Sequence, residues 1–266
     1  MLGLSPIDRM ACQVLAGLVR AGALFFVLLP VAIAEEVALA AASNFRVALD
    51  EIVAEFESRT SHRVTITMGS TGQLYAQIVN GAPFDVFLAA DRERPRRLAE
   101  QGIGVPESVF TYATGRLALW SRDPQRIGED SLATLADTDF RWLAMAEPAV
   151  APYGAAARQV LETLGAWAAV EGRIVTGQNV AQAFAMAQTG NAELGLVALT
   201  YAMAYRGGGS YVVVPPEWHD PIRQDAVLLR RGASNQAALD FVEWLKSREA
   251  AAIVASFGYG APAPGR

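Results

Sequence analysis

From residue 37 onward, short apolar runs alternate with stretches whose apolar residues recur at helical spacing. Val37-Ala38-Leu39-Ala40-Ala41-Ala42 is uninterrupted and built of small residues, the pattern of a buried strand. Phe45, Leu49, Ile52, Val53 and Phe56 then share one helical face, with Asp50, Glu51 and Glu57 off that stripe. Val64-Thr65-Ile66-Thr67-Met68 alternates and reads as a second strand, and Leu74–Val79 as a helix stopped by Gly81. Phe84–Leu88 is a third strand, followed by a helix capped by Asp91 and stopped by Gly102. Thr111–Trp120 is a strand-like stretch broken at Gly115, and is expected to carry the chain from one lobe to another. Ser131 is expected to cap a short helix through Leu135.

Beyond it the pattern predicts a strand at Trp142–Ala146, a helix from Ala155, a strand at Arg173–Val175 and a helix at Ala181–Gln188. Strands at Leu194–Leu199, Tyr211–Val214 and Ala226–Leu229 follow, then two closing helices and a tail, 262–266, that reads as disordered. Alternation at this spacing predicts an α/β protein with mostly parallel sheets and crossover helices. The expected division is one lobe of 35–116 plus 226–266 and another of 117–225.

The turns between strands and helices carry the candidate chemistry. Ser43-Asn44, Ser70-Thr71, Tyr153-Gly154 and Asn179-Val180 each follow a strand and open a helix. A helix start leaves backbone N–H groups without intrahelical partners, at the positive end of the helix dipole, so it attracts an anion. Two of these starts precede the crossover at Thr111–Trp120 and two follow it, so lobes that face each other bring all four to one cleft. None of the four turns contains Arg or Lys. Such a cradle of donors suits a fully ionised oxyanion, because a protonated one presents a hydrogen with no acceptor.

Composition narrows the rest. Among 266 residues, 52% are hydrophobic and 18% charged, which predicts a substantial core. The net charge is −5 and Lys246 is the only lysine, so no nucleic-acid footprint is expected. Arg9 and Arg20 precede the apolar run Ala21–Val31, and Ala32-Ile33-Ala34 is an A-x-A cleavage pattern. Residues 1–34 thus read as a secretory signal peptide, with an uncleaved membrane anchor as the other reading, and a mature chain from about Glu35. Removing Asp8, Arg9 and Arg20, a net +1, takes the formal charge from −5 to −6. Cys12, the only cysteine, lies in that segment, so no disulfide, thiol nucleophile or thiolate metal site is expected in the mature protein.

Several stretches resemble the periplasmic molybdate-binding proteins of ABC importers. They are Ala40–Phe45, Gly69–Ile78, Gly81–Asp91, Ala151–Gly154, Leu164–Trp167, Asn179-Val180 and Leu194–Leu199. The resemblance spans nearly the whole mature chain in the family's order. It implies a two-lobed, type II periplasmic-binding fold that closes on a tetrahedral oxyanion, molybdate and by extension tungstate. The family's ligand positions carry over as Ser43, Asn44, Ser70, Thr71, Tyr153 and Val180, with Tyr153 and Val180 acting through backbone N–H groups. It further implies no cofactor, a membrane permease as partner, a periplasmic location and a monomer. Some members place a ligand-touching tyrosine where this chain has Ala198, and Tyr201 is not its equivalent.

Other chemistries find less support. His62 and His219 are the only histidines. No acid flanks His62, which reads as a surface residue in a turn, and no Gly-x-Ser-x-Gly elbow occurs. Asp85, Asp91, Glu147 and Asp225 lie in or beside strands and turns without a spacing that makes them converge. Tyr112, Trp120, Trp142, Trp167 and Trp218 read as core or hinge packing. The alternatives to a molybdate carrier are a binding protein for another tetrahedral oxyanion such as sulfate, and an exported hydrolase using the Ser70 turn as an anion hole.

Overall fold

A computed structural model describes residues 35–133, 135 and 139–261. The expected signal peptide and the tail 262–266 lie outside the described residues. Two five-stranded mixed sheets form the framework, each flanked by helices.

The first sheet contains β1 (Glu36–Ala42), β2 (Arg63–Gly69), β3 (Val86–Leu88), β4 (Phe110–Gly115) and β10 (Ile222–Leu228), in the order β2-β1-β3-β10-β4. The second contains β5 (Leu117–Ser121), β6 (Leu143–Ala146), β7 (Ile174–Gly177), β8 (Leu194–Ala198) and β9 (Ser210–Val213), in the order β7-β6-β8-β5-β9. In both, the fourth strand of the order runs antiparallel to its neighbours and the other four run together. The chain crosses between sheets at Gly115-Arg116 and again between β9 and β10.

Helices cover the sheets: α1 (Arg46–Arg59), α2 (Thr71–Val79) and α3 (Glu93–Glu100), then α4 (Pro152–Thr163), α5 (Trp167–Val170), α6 (Val180–Gln188) and α7 (Leu199–Ala204), and finally α8 (Gln236–Leu245) and α9 (Arg248–Ser256). The predicted stripe of α1 is buried as a unit, Leu49, Ile52 and Phe56 against Val37, Leu39 and Phe241. Each such side chain contributes about 1.5–3 kcal/mol by leaving water. Lobe two packs around Trp120, Leu119, Met145, Leu161 and Phe184. Of the aromatic residues read as packing, Tyr112 and Trp120 are buried, and Trp142, Trp167 and Trp218 pack partly buried against the core.

Register places the functional turns. Ala42 pairs with Gly69 at the ends of β1 and β2, so Ser43 and Ser70 emerge side by side, about one strand spacing (~4.8 Å) apart. Ala146 pairs with Gly177 at the ends of β6 and β7, so the turns leading to Tyr153 and Val180 also emerge together.

Four expectations change. The return strand begins at Ile222, so 222–225, expected in the second lobe, pairs with β4 in the first sheet. Leu199, expected to end a strand, instead opens α7, because a short apolar run fits strand or helix equally well. Ser131, expected to cap a short helix through Leu135, closes a 3-10 turn, Glu129–Ser131, instead, and residue 134 of that expected helix lies outside the described residues. His62 is buried, stacked on Phe56 at 6.0 Å. Its Nδ1 accepts the Glu35 N–H (3.3 Å), so Nε2 carries the hydrogen and donates to Asp240 (3.1 Å). The acid sits 178 residues away, beyond the reach of a local reading.

Candidate anion site between the lobes

A small pocket, with about 10 Å³ of space for the centre of a water-sized group, is lined by Ala42, Ser43, Asn44, Gly69, Ser70, Thr71 and Ala90 from one lobe and Ala151, Pro152, Tyr153, Asn179 and Val180 from the other. All six residues singled out from the sequence line it. That is room for the centre of about one water-sized group, far below what a drug-sized ligand needs, and it suits a small ion. None of the lining residues is charged.

Each helix start contributes backbone donors. Thr71 and Val180 hold the first positions of α2 and α6, where an N–H has no intrahelical acceptor. Pro152 opens α4 and has no N–H, so the first free donor there belongs to Tyr153. Asn44 is the second residue of a 3-10 turn, Ser43–Phe45, that runs into α1. Gly154 lets this segment approach β6: a Cβ there would lie 2.3 Å from the Ala146 carbonyl oxygen.

The hydroxyls are aimed by what they accept. Ser70 Oγ accepts the Gln73 N–H at 3.3 Å and Thr71 Oγ1 accepts the Ala90 N–H at 3.0 Å. Both hydroxyls are buried, and accepting through a lone pair leaves each hydrogen to donate. Asn179 Oδ1 accepts the Gln182 N–H at 3.1 Å, the cap of α6.

The carbonyls, by contrast, are occupied. Those of Ser43, Asn44, Ser70, Ala151 and Asn179 accept from the Tyr201 hydroxyl, the Tyr259 hydroxyl (2.6 Å), Leu74 N–H, Ala155 N–H and Ala183 N–H. The cavity wall is therefore rich in donors and poor in acceptors, which favours an ionised oxyanion over a protonated one.

A buried network missed by the sequence reading stands behind this wall. Asn44 Nδ2 donates to Gln224 Oε1 (2.9 Å) and to the Tyr259 hydroxyl (3.2 Å), so Asn44 faces the pocket with its backbone while its amide is held elsewhere. Gln224 also accepts from the Tyr112 hydroxyl (3.0 Å) and donates to the Tyr153 hydroxyl (3.3 Å). It thereby ties site residues of both lobes to the return strand. Gly115, at the first crossover, makes room: a Cβ would lie 2.3 Å from the Tyr153 hydroxyl and 2.7 Å from Gln224 Nε2. Burial pushes the Tyr112, Tyr153 and Tyr259 phenols well above their ordinary range, so they stay neutral.

The carboxylates weighed earlier have structural partners. Asp85 accepts from Ala38 N–H (2.9 Å) and Asn235 (3.3 Å) and pairs with Arg231. Asp225 takes the Thr111 hydroxyl (2.6 Å) and lies 3.6 Å from Arg92 and 3.8 Å from Arg96. Asp91 accepts the Arg94 N–H at 2.9 Å, at the head of α3, which begins at Glu93. Among the described residues no three His, Cys, Asp or Glu side chains cluster as a metal site would require.

Residues 37–260 match the family model of bacterial extracellular solute-binding proteins. The chain belongs to that family. This solute-binding protein is 46% identical to the molybdate-binding protein ModA of Rhodobacter capsulatus over 228 residues, 86% of this chain and 89% of that one. It is also 46% identical to ModA of Azotobacter vinelandii over 229 residues, 85% of this chain and 90% of the relative. The periplasmic molybdate-binding protein of Azotobacter vinelandii superposes with a TM-score of 0.80 at 38% identity, covering 85% of this chain and all of that one. The two-lobed, type II architecture expected from the sequence is therefore the fold of a solute-binding protein.

Proposed function

We propose that this protein binds molybdate outside the cytoplasm and delivers it to an ABC transporter. The observation that carries the reading is the small, uncharged, donor-lined pocket between two lobes. Two relatives that are 46% identical over most of the chain bear the name molybdate-binding protein. The ion is held by Ser43, Asn44, Ser70, Thr71, Tyr153 and Val180: hydroxyls from Ser43, Ser70 and Thr71, backbone N–H groups from Asn44, Thr71, Tyr153 and Val180. The lobes close over it by rotation at the two crossovers, and the closed form is what a permease recognises. No bond is made or broken, so the protein is a carrier and not an enzyme.

The same donors accept tungstate, an ion of the same charge and shape. We place the mature, monomeric protein in the periplasm after cleavage behind Ala34. Its lobes are taken to follow the expected division at residues 116–117, with the return to the first lobe at β10. Titration calorimetry on the mature chain tests the reading. Molybdate should bind at micromolar affinity or tighter, about −8 kcal/mol or better, and sulfate far more weakly. Absence of heat with molybdate and tungstate alike rules the reading out, and tight sulfate binding reassigns the ligand.

A further inference from the structure

The first three N–H groups of α2 point to three different partners. Gln73 N–H bonds its own cap, Ser70 Oγ, and Thr71 N–H stands at the pocket. Gly72 N–H crosses to the other lobe and donates to the Val150 carbonyl at 2.9 Å. A Cβ on Gly72 would lie 2.9 Å from that oxygen, closer than such atoms approach, and a tight 3.1 Å from Val150 Cα. Gly72 does not need glycine for its backbone, since it is absent from the positive-φ positions. In a helix, glycine is a poor residue. The approach of the second lobe is what its missing side chain allows.

Besides the bonds of Gln224 with Tyr153 and of Gln73 with Gln178, another lobe-to-lobe bond stands at the other turn of the first lobe. The Tyr201 hydroxyl, on α7, donates to the Ser43 carbonyl. Its ring stacks on Phe184 at 5.1 Å with an interplanar angle of 12°, and burial pushes its phenol pKa up, so it remains a donor. Neither Gly72 nor Tyr201 lines the anion pocket.

We propose that Gly72 and Tyr201 form a closure latch, two direct bonds between the lobes that fix how far the cleft shuts and so set affinity and residence time without touching the ion. The proposal rests on the anion-carrier reading above. Closed-state contacts made by protein alone add to every ligand's affinity, and their loss appears mainly as faster release. Gly72→Ala inserts a methyl group between the lobes while improving the helix propensity of α2. Tyr201→Phe removes one donor and keeps the stacked ring.

The test compares the wild-type mature chain with Gly72→Ala and Tyr201→Phe. Molybdate affinity is read by calorimetry, release by stopped-flow tryptophan fluorescence, and unliganded stability by thermal melting. Gly72→Ala should keep or raise the melting temperature yet bind roughly tenfold or more weakly. Tyr201→Phe should bind several-fold more weakly, and in both variants release should accelerate by the same factor. Wild-type affinity and release in both variants overturn the latch, as does an affinity loss that merely follows a lower melting temperature. If the wild type binds no oxyanion, the carrier reading fails, and small-angle scattering of the unliganded proteins decides the latch. A larger radius of gyration in the variants supports it, and an unchanged radius overturns it.

Discussion

Ser70→Ala separates two jobs that one hydroxyl performs. Its oxygen accepts the Gln73 N–H at 3.3 Å, capping α2, which leaves its hydrogen free to donate to an ion in the pocket that Ser70 lines. The bond to Gln73 is longer than the ~2.9–3.0 Å usual for N–H to oxygen, so the cap sits at the low end of its range, about 0.5–1 kcal/mol. Donation to a charged oxygen is worth more, about 1.5–3 kcal/mol. Removing the hydroxyl should therefore weaken molybdate binding about 10- to 150-fold while costing the unliganded protein only about 0.5–1 kcal/mol. Thermal melts with and without ligand read both numbers. With ligand at 100 times the wild-type Kd, binding stabilises the wild type by about 2.7 kcal/mol, and a tenfold weaker variant by about 1.4 kcal/mol. An unchanged Kd beside a lowered unliganded melting temperature would refute the reasoning, leaving Ser70 as a cap alone. Thr71→Val is the less clean probe. It strands the buried Ala90 N–H, at about 1–3 kcal/mol, and confounds affinity with folding.

Two further outcomes follow from the network behind the pocket. Gln224→Leu keeps the bulk but removes the bonds to Asn44, Tyr112 and Tyr153, and should lower stability by about 2–4 kcal/mol in urea unfolding, with the melt remaining cooperative. Tyr112, Tyr153, Tyr201 and Tyr259 all have phenol pKa values raised above 10.0, chiefly by burial. Between the ordinary and raised values the folded chain holds more protons than the unfolded one. Their contribution is thus complete below about pH 10 and lost as pH climbs through the raised values. Spectrophotometric titration of the seven tyrosines should show at least four ionising only as the protein unfolds. Four that titrate freely near pH 10 in the folded protein would contradict this.

The pocket was legible because its parts are local. A strand that ends in a hydroxyl or amide residue and turns into a helix shows itself within ten residues, and the β1–β2 and β6–β7 pairs then bring the turns together. The absence of cations in those turns carried through to an uncharged lining. What stayed hidden is nonlocal. Gln224 meets Asn44 across 180 residues and Tyr112 across 112, and nothing in the periodicity of Ile222–Leu228 marks a polar keystone. His62 was misplaced for the same reason, its acid lying on a distant helix. Tyr201 is discounted in the sequence because it lies three residues past Ala198, where some relatives carry a tyrosine, yet the chain bends into α7 and brings its phenol to the Ser43 carbonyl.

The matched registers of β1 with β2 and β6 with β7 have a geometric consequence. Each sheet delivers its two helix starts as a neighbouring pair, so each lobe offers a two-pronged grip. A tetrahedron has pairs of opposite edges, and two such grips can take one edge each. A flat, three-oxygen ion such as nitrate has no second edge out of its plane, and one prong would close on empty space. Selection by shape then originates in how strands are aligned inside each sheet, well before any side chain meets the ion.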